Sequence, residues 1–183
     1  MMIAIPEIRP ANSTLFAAAL LVSSASVAGS VNASTETLFN AVNDRLSHMQ
    51  AVAAWKADND RPVEDLEREK VVMEAARRQA AEVGLPADSV THFFQAQIDA
   101  AKDIQSCWIA RWEEGAARPE TVPDLVDEVR PALLRLGDSI LQELARTSVA
   151  AGDRKAFDAA LTVDCLSEQS RQALFDGLLD INP

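Results

Sequence analysis

Cations stand on helix faces that otherwise carry apolar side chains. Arg45 and Lys56 are eleven residues apart, which is three turns of a helix, and they share a face with Met49 and Val52. Arg68 has a similar position on the next predicted helix. An acidic protein that concentrates cations on the faces it buries is suited to holding an anionic ligand there. The spacing therefore predicts a cation-lined pocket for an anion.

Gln105 is a polar residue in the middle of an apolar stripe on the third predicted helix. The members of the stripe recur at steps of three and four residues, as one face of a helix requires. They are Phe94, Ile98, Ala101, Gln105, Trp108 and Trp112. A buried amide without a partner costs on the order of 1–3 kcal/mol. Gln105 therefore either bonds to a neighbouring backbone group or faces a ligand.

Fixed cations and a neutral amide donor can perform one kind of chemistry unaided. They can position a dianion and stabilise the negative charge that builds on an oxygen atom as its bond breaks. The sequence offers no competing machinery, because it contains no nucleophile motif and no glycine-rich phosphate loop. His48 and His92 do not have the spacing of a metal site. We therefore expect neither a metal nor a cofactor.

The charge balance argues against one class of partner. The chain has 183 residues, with 28 Asp and Glu against 17 Lys and Arg, and a net charge of −11. Because neutralising phosphates needs surplus cations, we expect no nucleic-acid binding.

No apolar run reaches the roughly 20 residues that cross a bilayer, so we expect no membrane anchor in the mature form.

The elements that must position these residues are helices. Abundant alanine and scarce β-branched clusters favour an all-α fold. Pro62 is expected to open the second helix, Gly84 to end it, and Asp124 to cap the fourth. The six predicted helices span about 35–59, 62–83, 87–114, 124–147, 153–162 and 167–178.

Residues 1–33 have the pattern of a secretory signal peptide. Arg9 precedes the apolar stretch 15–22, and small residues follow, with cleavage expected after Ala28 or Ala33. The alternative is a buried N-terminal helix. Export predicts a periplasmic or secreted protein, in which Cys107 and Cys165 could form a disulfide. The alternative for the cysteines is a pair of buried free thiols.

Together, these residues resemble a known family. The stretch Arg61 to Glu69, with Arg45 and Lys56 upstream and Gln105 downstream, resembles an all-helical chorismate mutase of the AroQ class. The export signal and the long C-terminal extension resemble its secreted, or gamma, subclass. The resemblance covers roughly residues 35–145. It implies the helical AroQ fold and the unimolecular rearrangement of chorismate to prephenate, without a cofactor, in a homodimer. It also implies a single domain over 34–183, in which 35–114 carry the core motif and 124–183 complete the site.

The resemblance implies catalytic roles for three residues. Arg45 matches an arginine that holds a substrate carboxylate. Lys56 matches a lysine that donates to the ether oxygen and to a carboxylate, and Gln105 matches a donor to the same ether oxygen.

Further residues match substrate-binding positions of the family. Asp65 and Glu69 match positions near the ring hydroxyl, Arg68 matches a neighbouring arginine, and Arg130 matches an arginine that the secreted subclass supplies from its own chain. Two positions depart from the pattern. Ala101 replaces a Ser or Thr whose hydroxyl touches a carboxylate, for which the adjacent Lys102 could compensate, and Val72 replaces a Gln of some secreted members.

Two other functions fit the same residues. One is a non-catalytic exported binding protein for a small aromatic-pathway carboxylic acid. The other is a structural helical bundle with buried ion pairs, which requires Arg45, Lys56 and Arg68 each to meet a carboxylate of the fold. A cation-lined cavity between the helices would exclude the structural alternative.

Overall fold

The computed structural model describes Met1 and residues 33–181, so the predicted signal segment lies almost wholly outside the described residues. Those residues form seven α-helices and contain no strand, which confirms the all-α prediction. The helices are α1 (Ala33–Ser47), α2 (Met49–Asp58), α3 (Leu66–Glu82), α4 (Thr91–Glu113), α5 (Arg130–Leu144), α6 (Arg154–Ala160) and α7 (Glu168–Leu179). None of these helices is long and apolar enough to cross a membrane.

The first four predicted helices differ from the prediction in their bounds or continuity, and the fourth begins as a π-helical turn, Leu125–Val129, before its α-helical part, Arg130–Leu144. The first predicted helix is interrupted at His48, which divides it into α1 and α2. The second begins at Leu66 rather than at Pro62, because the Asp65 carboxylate accepts the backbone N–H of Arg68 and so caps the helix. The third begins at Thr91, since residues 86–90 form a turn.

The core lies between α1, α4, α5 and the two C-terminal helices. α4 packs along α7 and α2, while α1 packs along α5. The largest side chains at the centre are almost fully inaccessible to solvent, and include Leu38, Phe39, Phe93, Ile140, Phe157 and Leu174. Burying a side chain of this size contributes roughly 1.5–3 kcal/mol each. This core fixes the helices that carry the polar residues of interest.

Glycine is required at two positions, at one for its backbone conformation and at the other for close packing. Gly84 has φ +86°, and the bonds from Leu85 N to Ala80 O and from Gly84 N to Ala81 O end α3 in a Schellman motif. A Cβ on Gly177 of α7 would lie 2.7 Å from the Cα of Phe93, so glycine permits the close approach of α7 to α4.

A disulfide between Cys107 and Cys165 ties α4 to the segment before α7.

Candidate active site

A cavity of about 540 Å³ lies between α1, α2, α3, α4 and the start of α5. All seven residues that the sequence singled out for catalysis or substrate binding line it. They are Arg45, Lys56, Asp65, Arg68, Glu69, Gln105 and Arg130. Residues from five helical segments therefore meet at one place, as the spacing argument requires.

The cavity wall is strongly positive although the chain is acidic. Arg45, Lys56, Arg68 and Arg130 make no salt bridge within residues 33–181. The structural bundle required a carboxylate for the first three of these, and in the described part of the chain none lies within salt-bridge distance of them, although Asp65 and Glu69 are near enough to act on Lys56 through space. Unpaired charges that share a partly buried wall repel one another, so their free energy falls when an anion enters.

Arg45 projects from the last turn of α1 and is partly buried. Its Nη1 donates to the backbone oxygen of Leu133 at 2.7 Å, which fixes the guanidinium against α5. Burial, and then the charge of Arg68, lower the pKa of Arg45 to about 10. The group remains charged at neutral pH, and its other N–H donors are available to a carboxylate.

Lys56 lies in the last turn of α2 with only 9% of its surface exposed. Its ammonium donates to the backbone oxygen of Val63 in the loop before α3. Burial lowers the pKa of Lys56, the charges of Asp65 and Glu69 raise it, and Arg130 lowers it further. An ammonium has three N–H donors, so two remain to face the cavity.

Arg68 and Arg130 face the same space from α3 and α5. Burial, and then the charge of Arg130, lower the pKa of Arg68, while Asp65 raises it. Arg130 follows a π-helical turn, Leu125–Val129, that Asp124 caps by accepting the N–H groups of Val126 and Asp127. Such wide turns are frequent at functional sites, and this one sets the direction in which α5 starts.

Glu69 also lines the cavity and, unlike the four cations, forms a salt bridge within the described residues. Its Oε2 lies 3.3 Å from the ammonium of Lys102 on α4, which also lies 3.1 Å from Asp99. Its Oε1 accepts the backbone N–H of Asp65 at 3.4 Å. Burial lowers the pKa of Lys102, but hydrogen bonds with Asp99 and Glu69 outweigh it and leave the pKa raised. Lys102 is therefore engaged with two carboxylates of the protein.

Gln105 is 4% exposed. The sequence left two alternatives for its amide, a bond to a neighbouring backbone group or a position facing a ligand, and the structure allows both. Its Nε2 donates to the backbone oxygen of Ala101 at 2.9 Å and lies 3.7 Å from the sulfur of Met49. A thioether is a weak acceptor, so the second N–H is available to a better one. Its Oε1 has no partner in the described residues.

Sequence reasoning missed Gln97, which lines the same cavity from α4. It is 2% exposed, and neither polar atom of its side chain has a hydrogen-bond partner among the described residues. Its position two turns before Gln105, next to Ile98 of the apolar stripe, was a signal that could have found it.

Comparisons of the sequence give one consistent result. The chorismate mutase type II profile matches residues 28–106. A monofunctional chorismate mutase from Enterobacter agglomerans is 34% identical over 169 residues, covering 90% of this chain and 93% of the relative. A secreted chorismate mutase from Yersinia pestis is 38% identical over 104 residues, covering 57% of this chain and 55% of the relative.

The fold agrees with a solved structure. The crystal structure of the secreted chorismate mutase from Yersinia pestis superposes with a TM-score of 0.75 at 31% sequence identity. The match covers 80% of this chain and 97% of that chain. It therefore extends over almost the whole of the solved domain.

Proposed function

Because the chain belongs to the chorismate mutase type II family, we infer that its cavity rearranges chorismate to prephenate. One observation carries this function: four cations without salt bridges in the described residues face an amide donor across a single cavity. The substrate is a dianion with an enolpyruvyl ether, and its charge and polar atoms complement these groups.

The reaction needs positioning and electrostatics only. Within one molecule a C–O bond of the ether breaks and a C–C bond forms, with no proton transfer, no external nucleophile and no change in oxidation state overall. We propose that Arg45, Arg68 and Arg130 hold the two carboxylates in the compact conformer. Lys56 and Gln105 donate to the ether oxygen, where negative charge grows as the C–O bond lengthens.

The two acidic residues of the cavity differ in how free they are to meet the substrate's ring hydroxyl. The carboxylate of Asp65 is used as a helix cap, so Asp65 acts chiefly by fixing the start of α3. Glu69 is held from both sides by Lys102 and by the Asp65 N–H, yet a carboxylate has further lone pairs that can accept a hydrogen bond from a hydroxyl. Glu69 is therefore the stronger candidate to orient the ring.

We further propose that the protein acts after export, in the periplasm or outside the cell, as a homodimer. The signal-like residues 1–33 support export, as does the likeness to relatives named secreted. Residues 34–183 then form one catalytic domain, with 35–114 carrying the core motif and 124–183 completing the site. Arg130 supports this division, because it lines the cavity from the C-terminal half.

The function is tested by following the loss of chorismate absorbance with purified protein and identifying the product. Accumulation of prephenate in proportion to the protein added is the expected result. A folded protein that binds chorismate, as seen by calorimetry, without converting it would instead be the non-catalytic binding protein.

A further inference from the structure

Gln97 stands out among the buried polar side chains. Six buried side-chain N or O atoms have no partner within the described residues, and three belong to Gln97 and Gln105, which both line the cavity. Gln97 is the more extreme case, because both atoms of its amide are unpartnered and the side chain is 2% exposed. A buried amide in this condition costs free energy unless something outside the chain supplies the partner.

The direction of the helices places Gln97 at the Arg45 end of the cavity. The amide of Gln105 contacts the sulfur of Met49. Further along both segments, Arg118 lies beyond the C-terminal end of α4 and donates to the backbone oxygen of Ala54. α4 therefore runs parallel to the α1–α2 segment. Gln97 precedes Gln105 by two turns, about 12 Å along the helix axis. That displacement leads from Met49 back into α1, about one turn beyond the Cα of Arg45, and the long Arg45 side chain leans in the same direction because helical side chains tilt towards the N-terminus.

We propose that Gln97 is a further substrate-binding residue, whose amide N–H donates to the substrate carboxylate held by Arg45. This inference rests on the proposed function. The two glutamines of α4 then bind different groups of the substrate: Gln105 donates to the ether oxygen, and Gln97 donates to the carboxylate. Lys102, the other donor on this part of α4, is already engaged with Glu69 and Asp99.

The carboxylate stays charged throughout the rearrangement, so its bond to Gln97 forms equally in the ground state and the transition state. Loss of such a contact raises KM and leaves kcat unchanged. A hydrogen bond to a charged group accounts for roughly a tenfold effect or more. Without substrate, the unpartnered amide lowers the free energy of unfolding, so an apolar residue of similar size should raise stability.

The test is Gln97→Leu, with Gln142→Leu as the control, because Gln142 is exposed on α5 away from the cavity. We expect Gln97→Leu to raise KM about tenfold, to keep kcat within twofold and to raise Tm by roughly 2 °C or more. Gln142→Leu should change neither KM nor kcat. If Gln97→Leu does not fold, Gln97→Met replaces it with the same expectations.

A KM within twofold of the wild-type value, at any Tm, would overturn the inference. So would a joint fall in kcat and Tm, since that combination marks a structural role. Gln97→Glu supplies a second readout: a carboxylate there repels the substrate's own, so KM should exceed that of Gln97→Leu and fall on acidification. Wild-type turnover is measured in the same series, so failure of the proposed function is seen independently of Gln97.

Discussion

At the scale of single residues, the proposed mechanism rests on cations that form no salt bridge within the described residues. Lys56 and Arg45 are partly or fully buried, and the described residues offer them backbone oxygens rather than carboxylates. A backbone oxygen orients a cation without cancelling its charge. We therefore expect the field in the cavity to be preorganised for a dianion, with little reorganisation needed during the reaction.

Gln105 determines the expected dependence of activity on pH. An amide donates at any ordinary pH, so the wild type should show a broad plateau through neutral pH. The plateau should end on the alkaline side when Lys56 loses its proton, and earlier than for an exposed lysine, because burial lowers the pKa of Lys56. Gln105→Glu should be inactive at neutral pH and recover on acidification, because a glutamate must be protonated to donate.

Measuring kcat/KM from about pH 4.5 to 9 checks this expectation for the wild type, Gln105→Glu and Gln105→Ala. The alanine variant should be poor throughout, and circular dichroism at both extremes of pH controls for unfolding. A Gln105→Glu protein as active as wild type at pH 8 would show that Gln105 does not touch the ether oxygen.

At the scale of elements, the ion pair between α3 and α4 carries a specific expectation. Lys102→Met leaves Glu69 uncompensated beside the substrate, which should raise KM several-fold through repulsion. The double variant Lys102→Met/Glu69→Gln removes the extra charge and should recover part of that loss in KM. A double variant whose KM is worse by the product of the single effects would show that the two residues act independently.

The disulfide is expected to stabilise the C-terminal helices against α4. It closes a loop of 58 residues, and in the loop-entropy account such a constraint is worth roughly 4 kcal/mol of unfolding free energy. Cys107→Ser/Cys165→Ser should lower the denaturant midpoint accordingly, with turnover retained below the transition. An unchanged midpoint would mean that the bond adds nothing to stability in solution.

The sequence predicted the helices better than their ends. Periodic apolar residues located every helix, but the proline rule placed the start of α3 at Pro62, whereas the Asp65 cap moves it to Leu66. Arg45, Lys56 and Arg68 were found because a cation on an apolar helix face is visible as a pattern, whereas Arg130 was identified only through the family resemblance. Gln97 and the engagement of Lys102 were not found, since both depend on which residues of other helices lie opposite, and spacing within one helix does not contain that information.

At the scale of the whole molecule, Arg45, Lys56, Arg68 and Arg130 line one cavity within a single chain. Arg130 reaches the site from α5, after the π-helical turn, and faces the charges of α1, α2 and α3. A dimer built from such chains has two complete sites. We therefore predict that the function does not depend on exchange of residues between protomers.

Mixing inactive chains tests this arrangement. Arg130→Ala and Arg45→Ala proteins, unfolded and refolded together, should show no more activity than the two measured apart, because every site would still lack one cation. A refolded wild-type sample controls for the recovery of native protein. Activity well above the sum of the separate variants would show that each site borrows Arg130 or Arg45 from its partner.

The most direct test of the account is the effect of Lys56→Ala on kcat/KM for chorismate, measured beside Lys70→Ala. Lys70 is a lysine of α3 with 70% of its side chain exposed, so it controls for the loss of one positive charge. We predict a loss on the order of 10²-fold or more for Lys56→Ala, because its ammonium acts where negative charge develops, and almost none for Lys70→Ala. A folded Lys56→Ala protein with near-wild-type turnover would contradict the claim that the unpaired cations of this cavity carry out the catalysis.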